Sequence, residues 1–280
     1  MTTSSSTKAM GSLFNLLLDF VNTSRTHDSN YDIAQTLIEH YDELPQMSLR
    51  RMADLCFVSQ ASFSRFCRFL GFDSFGEFKE AVDGANYLLA DDYSRDFRTQ
   101  LTEDPTTALG TYRSKLASIL DSALDSKTTD LVPDVLDALA QAQRVVFFSH
   151  HFLWHIGSYF QGKMLQLGKY VELYQYYEHQ EEAARTLQEG DVAIVCSING
   201  SYFSHYQDVV HTIFESGAKV VVLTQNRHAL YLNRADYVLL CGNTNENDLG
   251  KYAALMTIDY LVMAYMRRGA MVIKEKREQR

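Results

Sequence analysis

The stretch that decides the fold is Ser48–Phe72, SLRRMADLCFVSQASFSRFCRFLGF. Two apolar patterns of helical spacing flank Cys56–Gln60. In the first, Met52, Leu55 and Val58 face inward. In the second, Phe63, Phe66 and Leu70 recur at intervals of three and four and form a buried stripe. Ser48 is placed to cap a helix running to about Cys56. Ser59 is placed to cap another running to Leu70, which Gly71 ends. Helix, tight connection, helix is the plan of a helix-turn-helix.

The stretch also gathers four arginines in a chain whose formal net charge is −9. From Ser48 to Lys79 the cations are Arg50, Arg51, Arg65, Arg68 and Lys79, and the anions are Asp54, Asp73 and Glu77. The excess is small, so one copy binds DNA weakly at physiological salt and a dimer or tetramer is expected. An inward Phe63 and Phe66 leave Gln60, Ala61, Ser64, Arg65 and Arg68 on the other face. Small and amide residues at a helix N-terminus let it enter a major groove. There Gln60 is suited to adenine and Arg65 to guanine. Ser48, Ser59, Ser62 and Ser64 are suited to phosphate oxygens, beside the helix dipole. On spacing alone, an ordinary helical hairpin with a solvated basic face fits equally well.

Working outward, residues 12–88 read as short helices. Leu13, Leu16, Leu17 and Phe20 form one stripe, Ile33, Leu37, Ile38 and Tyr41 the next, and Ser74 stands before another helical run. Residues 89–106, polar and rich in aspartate, are expected to be a linker, and residues 1–10 a leader. That leader lacks the basic start and cleavage site of a signal peptide, and no apolar run is long enough to span a bilayer. A cytoplasmic protein without a membrane partner is expected. The four cysteines are widely spaced inside apolar runs, with no C-x-x-C.

From Arg144 the pattern changes. RVVFFS, KYVELY, DVAIVCSI, KVVVLTQ and DYVLLCG are short β-branched runs. Helical segments near 152–168, 179–188, 203–216 and 227–234 separate them, and KYAALMTIDYLVMAYMRR comes last. Such alternation implies a doubly wound α/β parallel sheet buried on both faces.

The segment Met47–Lys79 resembles the N-terminal domain of the RpiR/MurR family of bacterial transcriptional regulators. Its pattern runs roughly S-I-x-x-L-A-x-x-x-x-V-S-x-A-T-V-x-R-F-x-x-x-L-G-F-x-G-F-x-E-F-K. Ser48, Ala53, Val58, Ser59, Ala61, Arg65, Phe66, Leu70, Gly71, Phe72, Phe75, Phe78 and Lys79 match it, and Ser62 replaces the usual threonine. The second half is similar to the SIS (sugar isomerase) domain of the same family. The resemblance implies an all-α helix-turn-helix domain over 11–88, followed by an α/β doubly wound, flavodoxin-like SIS domain over 107–280. It implies a homodimer or homotetramer, a double-stranded DNA operator built as an inverted repeat, and a sugar or sugar-phosphate effector. No cofactor is implied.

In a doubly wound sheet a ligand sits beyond the carboxyl ends of the strands, where strand order reverses. That brings the loops after RVVFF and DVAIVC together. Where SIS domains carry G-x-G-x-S, this chain has Ser149, His150, His151, Phe152 and Leu153. Where they carry S-x-S-G-x-T, it has Ser197, Ile198, Asn199, Gly200, Ser201 and Tyr202. Ser149, His150, His151, Ser197, Asn199, Gly200, Ser201 and Tyr202 are therefore the candidate ligand residues, without the usual glycines of a phosphate cradle. An eroded pocket also fits a ligand-free SIS domain that only dimerises. His151 and His155 have metal-ligand spacing, but no carboxylate or cysteine nearby in sequence completes a shell. No G-x-S-x-G, G-x-x-x-x-G-K-[ST] or dinucleotide fingerprint occurs, so catalysis is not expected. An isomerase would need a base, for which Glu178 or His179 would serve, and an intact phosphate grip.

Overall fold

Five parallel strands form one sheet in the computed structural model, which describes residues 13–85, 95–242 and 247–278. The strands are β1 (Val145–Phe148), β2 (Glu172–Leu173), β3 (Val192–Cys196), β4 (Lys219–Thr224) and β5 (Tyr237–Leu240). Their order is β2-β1-β3-β4-β5, and every pairing is parallel. Side chains alternate across the sheet. Val145, Phe147, Val192, Ile194, Val221 and Leu223 join one apolar cluster. Val146, Phe148, Ala193, Val195, Val220 and Val222 join another on the opposite face. Both faces are covered, which is why the strands read as unbroken apolar runs.

The first cluster is closed by α7 (Pro105–Ser122), α8 (Ser126–Gln141), α9 (Phe152–Gln166) and α13 (Asn247–Glu278), through Ile119, Val135, Phe160 and Ile258. The second is closed by α10 (Tyr177–Arg185), α11 (Ser201–His205) and α12 (Gln207–Glu215), through Ala184, Tyr202, Val209 and Ile213. Gly157 on α9 lies where a Cβ would stand 2.7 Å from the Phe147 ring, so only glycine lets this helix sit so close to β1. At the sheet edge, Arg144 forks onto both carboxylate oxygens of Glu172, each at 2.7 Å. That pairing holds the Glu172 carboxyl below its usual range.

The chain divides into Met1–Asp92 and Tyr93–Arg280. The first unit is helical: α1 (Leu13–Thr23), α2 (Ser29–Glu39), α3 (Leu49–Leu55), α4 (Gln60–Phe69) and α5 (Phe75–Ala85), with a 3-10 turn at Leu44–Gln46. Its core holds Leu13, Leu17, Ile33, Leu37, Met52, Phe63, Phe66 and Phe78, all essentially buried. Phe63 meets Phe78 edge-to-face at 5.8 Å, and Phe72 meets Phe78 the same way at 5.4 Å. Edge-to-face aromatic packing of this kind stabilises beyond the area it buries.

Several expectations are corrected. The helix expected at 227–234 is a turn and a 3-10 segment, Leu232–Arg234. Asn226 explains it: its Oδ1 accepts from His228 N and its Nδ2 donates to Asn199 O, so the side chain holds a turn. The helix expected over 203–216 breaks at Tyr206, whose ring stacks on Tyr202 at 4.6 Å. KYVELY shrinks to a two-residue strand at the sheet edge. In the segment expected as linker, Arg95–Glu103 is helix α6, packed through Phe97 on Tyr112 of α7 with ring centroids 5.6 Å apart. Asp104 caps α7. The rest of that segment up to Ser94, and the leader, lie outside the described residues.

Candidate functional site

The first site is built by α3 and α4. Ser48 Oγ accepts from Arg51 N at 3.3 Å, and Ser59 Oγ accepts from Ser62 N at 3.1 Å, so both serines cap their helices. Between them, α3 ends with Val58 N donating to Ala53 O at 3.0 Å and Phe57 N donating to Asp54 O at 3.1 Å. This closure needs a left-handed residue, usually glycine. Here it is Phe57, at φ 55 and with its side chain 97% exposed. The end of α4 uses the same closure with Gly71, at φ 96.

Phe63, Phe66 and Cys67 are buried, which turns the opposite face of α4 outward. Gln60, Ala61, Arg65 and Arg68 are exposed, Ser59 is exposed, and Ser62 and Ser64 are half-buried. Arg65 Nη2 donates to Ser62 Oγ at 2.9 Å, and Ser62 Oγ lies 3.0 Å from Ser59 Oγ. The cap thus tethers the arginine near the start of the helix. Arg50 and Arg51 are exposed on α3, with Arg50 facing Asp54 at 3.8 Å. Lys79 differs from the expectation: its ammonium donates to the carbonyls of Leu44 and Pro45 and to Asp83. It fastens α5 to the 3-10 turn.

The second site lies at the carboxyl ends of β1 and β3, which are neighbours in the sheet. The loops meet where Ser201 Oγ approaches His150 Nε2 at 3.3 Å. His151 precedes α9 at φ 52 and ψ −135, a backbone region that favours glycine. Gly200 takes φ 89 at the start of α11. His150 is buried, and burial first, then His151 and His205, push its imidazole well below the usual range. Its ring lies 4.5 Å from His151, 6.1 Å from His205 and 5.5 Å from Tyr206.

The loop after β3 is largely satisfied from within. Asn199 Oδ1 accepts from Ser201 N at 3.0 Å, and Ser197 Oγ accepts from Tyr202 N at 3.1 Å. Tyr202, expected among the ligand residues, has its hydroxyl engaged within the protein. It is buried, and its hydroxyl donates to Gln180 Oε1 at 2.6 Å. Gln180 Nε2 in turn donates to Ser149 O at 3.0 Å, linking the two loops. Sequence reasoning missed Gln180, Trp154 and His205. Gln180 stands on a helix whose other buried positions are Tyr177, Ala183 and Ala184, a periodic signal that an amide was buried there. No group of three or more His, Cys, Asp or Glu residues suited to a metal occurs among the described residues. No helix among them is long and apolar enough to cross a membrane.

Residues 21–86 match the helix-turn-helix domain of the rpiR family, across both α3 and α4. The chain therefore carries an rpiR-type helix-turn-helix domain. Two relatives extend the similarity beyond that domain. One is an HTH-type transcriptional regulator of Haemophilus influenzae, 25% identical over 248 residues, covering 86% of this chain and 85% of the relative. Another is an HTH-type transcriptional regulator of Caldanaerobacter subterraneus subsp. tengcongensis, 26% identical over 212 residues, covering 74% and 73%. The fold of the Vibrio vulnificus NanR protein, solved with ManNAc-6P, is similar at TM-score 0.50 and 17% identity, over 95% of this chain and 97% of that one. The chain is a transcriptional regulator that joins an rpiR-type helix-turn-helix domain to a parallel α/β domain.

Proposed function

We propose that this regulator reads an inverted-repeat operator as a homodimer or homotetramer. A sugar-related metabolite held at the ends of β1 and β3 biases one arrangement of the copies. The observation that carries the reading is the division of α4. Phe63 and Phe66 anchor one side, while Gln60, Ala61, Arg65 and Arg68 stand exposed on the other. That is the disposition a recognition helix needs in a major groove. Ser48, Ser59, Ser62, Ser64, Arg50 and Arg51 flank it and supply phosphate contacts. Lys79 acts as a brace within the domain.

The chain acts without catalysis. An isomerase needs a phosphate grip beside its base, and the Ser201 and Tyr202 amides that would make one are already bonded to Asn199 and Ser197. The same observation favours one rival, a SIS domain that only joins copies and takes no ligand.

Selection of DNA from a random pool by the full-length protein should return a two-fold repeat with half-sites one or more helical turns apart. Arg65→Ala should weaken binding to that sequence by about 1–3 kcal/mol and random DNA by much less. Equal losses on both would reduce Arg65 to a phosphate contact. A selected site without two-fold symmetry would sink the dimeric reading.

A further inference from the structure

Taking residues 107–280 as an effector domain, we propose that its ligand is an uncharged, hydroxyl-rich molecule, such as a free sugar or polyol, and not a phosphate ester. The geometry at the ends of β1 and β3 points there in three ways.

Ser149 Oγ, His150 Nδ1 and Trp154 Nε1 are buried without a hydrogen-bond partner, within six consecutive residues at the β1–α9 turn. Ser149 is fully buried and His150 is 7% exposed. Buried polar atoms are nearly always partnered, so three without partners in one short turn mark a place for a ligand to complete. The indole N–H only donates, the serine hydroxyl does both, and a neutral imidazole nitrogen does either. Hydroxyl groups answer all three, because each both donates and accepts.

Four of the loop amides that could grip a phosphate are taken. Ser201 N donates to Asn199 Oδ1, Tyr202 N to Ser197 Oγ, Phe203 N to Gly200 O, and Trp154 N to His151 O. A phosphate cradle works by presenting such N–H groups to the anion. Here the Asn199 carboxamide oxygen stands on the amide where an anion's oxygen would.

Beside this turn Lys251 Nζ stands over the exposed Phe152 ring, 5.6 Å from its centroid, and it is not among the groups acting on His150. The ionisable groups that act on His150 are His151 and His205. Those that act on Tyr202 and Tyr206 are Tyr177, Tyr206 and Glu178. Neither lysine nor arginine is among them. Arg185 acts on Tyr177, and it is itself paired with Glu181 at 2.9 Å. A dianion would be stripped of water beside the buried, neutral His150 imidazole. The Tyr202–Tyr206 stack, with His150 set against it, offers apolar ring faces instead. Apolar walls with a few placed polar atoms suit an uncharged ligand.

The test is isothermal titration of the full-length protein with matched pairs: hexoses, N-acetylhexosamines and hexitols, each beside its 6-phosphate, with inorganic phosphate included. A neutral member should bind, with its 6-phosphate about tenfold weaker or worse, the scale of one well-placed interaction. Trp154→Phe should weaken the neutral ligand by about tenfold, the loss of one hydrogen bond in a nearly unchanged shape. Asn199→Gly releases the Ser201 amide and should narrow the gap by strengthening the phosphate ester. A 6-phosphate that binds as tightly as its neutral partner overturns the proposal. So does a Trp154→Phe protein that binds the neutral ligand undiminished. Silence from every probe in a protein that still binds its operator removes the effector reading itself, and this proposal with it.

Discussion

The start of α4 and the ends of β1 and β3 use similar residue types for opposite ends. At α4 the polar groups are exposed and locally bonded: Ser59 to Ser62, and Ser62 to Arg65. Water completes whatever remains, so the surface is stable alone and ready to trade water for a partner. At the sheet the polar groups are buried. Some are locked in a relay from Tyr202 through Gln180 to Ser149 O, while Ser149 Oγ, His150 Nδ1 and Trp154 Nε1 have no partner. An exposed site loses little by waiting. A buried polar atom without a partner carries a cost, and under the proposal that cost gives a ligand leverage over conformation. That asymmetry is what the proposal requires, an exposed surface for DNA and a buried site for an effector.

The comparison can be broken at three points. The largest effect is expected at Phe63, the fully buried anchor beneath the reading face of α4. Phe63→Ala should cost about 3–5 kcal/mol in denaturant unfolding of the helical unit and abolish operator binding with it. If operator binding survives at full strength, the face of α4 does not depend on that anchor. Tyr202→Phe comes next. It leaves Gln180 Oε1 buried without its donor, and unfolding of the sheet unit should be easier by about 1–3 kcal/mol. An unchanged midpoint would mean that the relay between the loops is not holding them. The smallest effect is at Phe57, strained at φ 55 and almost wholly exposed. Phe57→Gly should stabilise the helical unit by about 1 kcal/mol or less, because glycine takes that backbone without a Cβ penalty. Destabilisation instead would show that the ring packs on something the isolated chain does not contain.

Much of the helical unit was legible because its signals are local. Ser48 and Ser59 cap where their positions before apolar runs said they would, and Gly71 ends α4 with the positive φ its position called for. Phe63 and Phe66 are buried by the same three-and-four spacing that leaves Gln60 and Arg65 exposed. Lys79 was misread because its partners Leu44 and Pro45 lie about 35 residues back, outside any helical period. The sheet and its reversal of order between β1 and β3 were also legible, from β-branched runs alternating with helical ones. The turn at 227–234 was not, because Asn226 finds its acceptor on Asn199, in another loop.

By itself the sequence determined the two kinds of unit, the capped helices and the strands buried on both faces. Those follow from side-chain periodicity and backbone preference, which neighbours along the chain express. Only the tertiary structure decided which polar atoms are satisfied. Tyr202 turned to Gln180, Asn199 folded onto the amide of Ser201, and Ser149 Oγ, His150 Nδ1 and Trp154 Nε1 were left without partners. Hydrogen bonds between separate loops depend on where the packed sheet brings them, and no local pattern in the chain encodes that meeting.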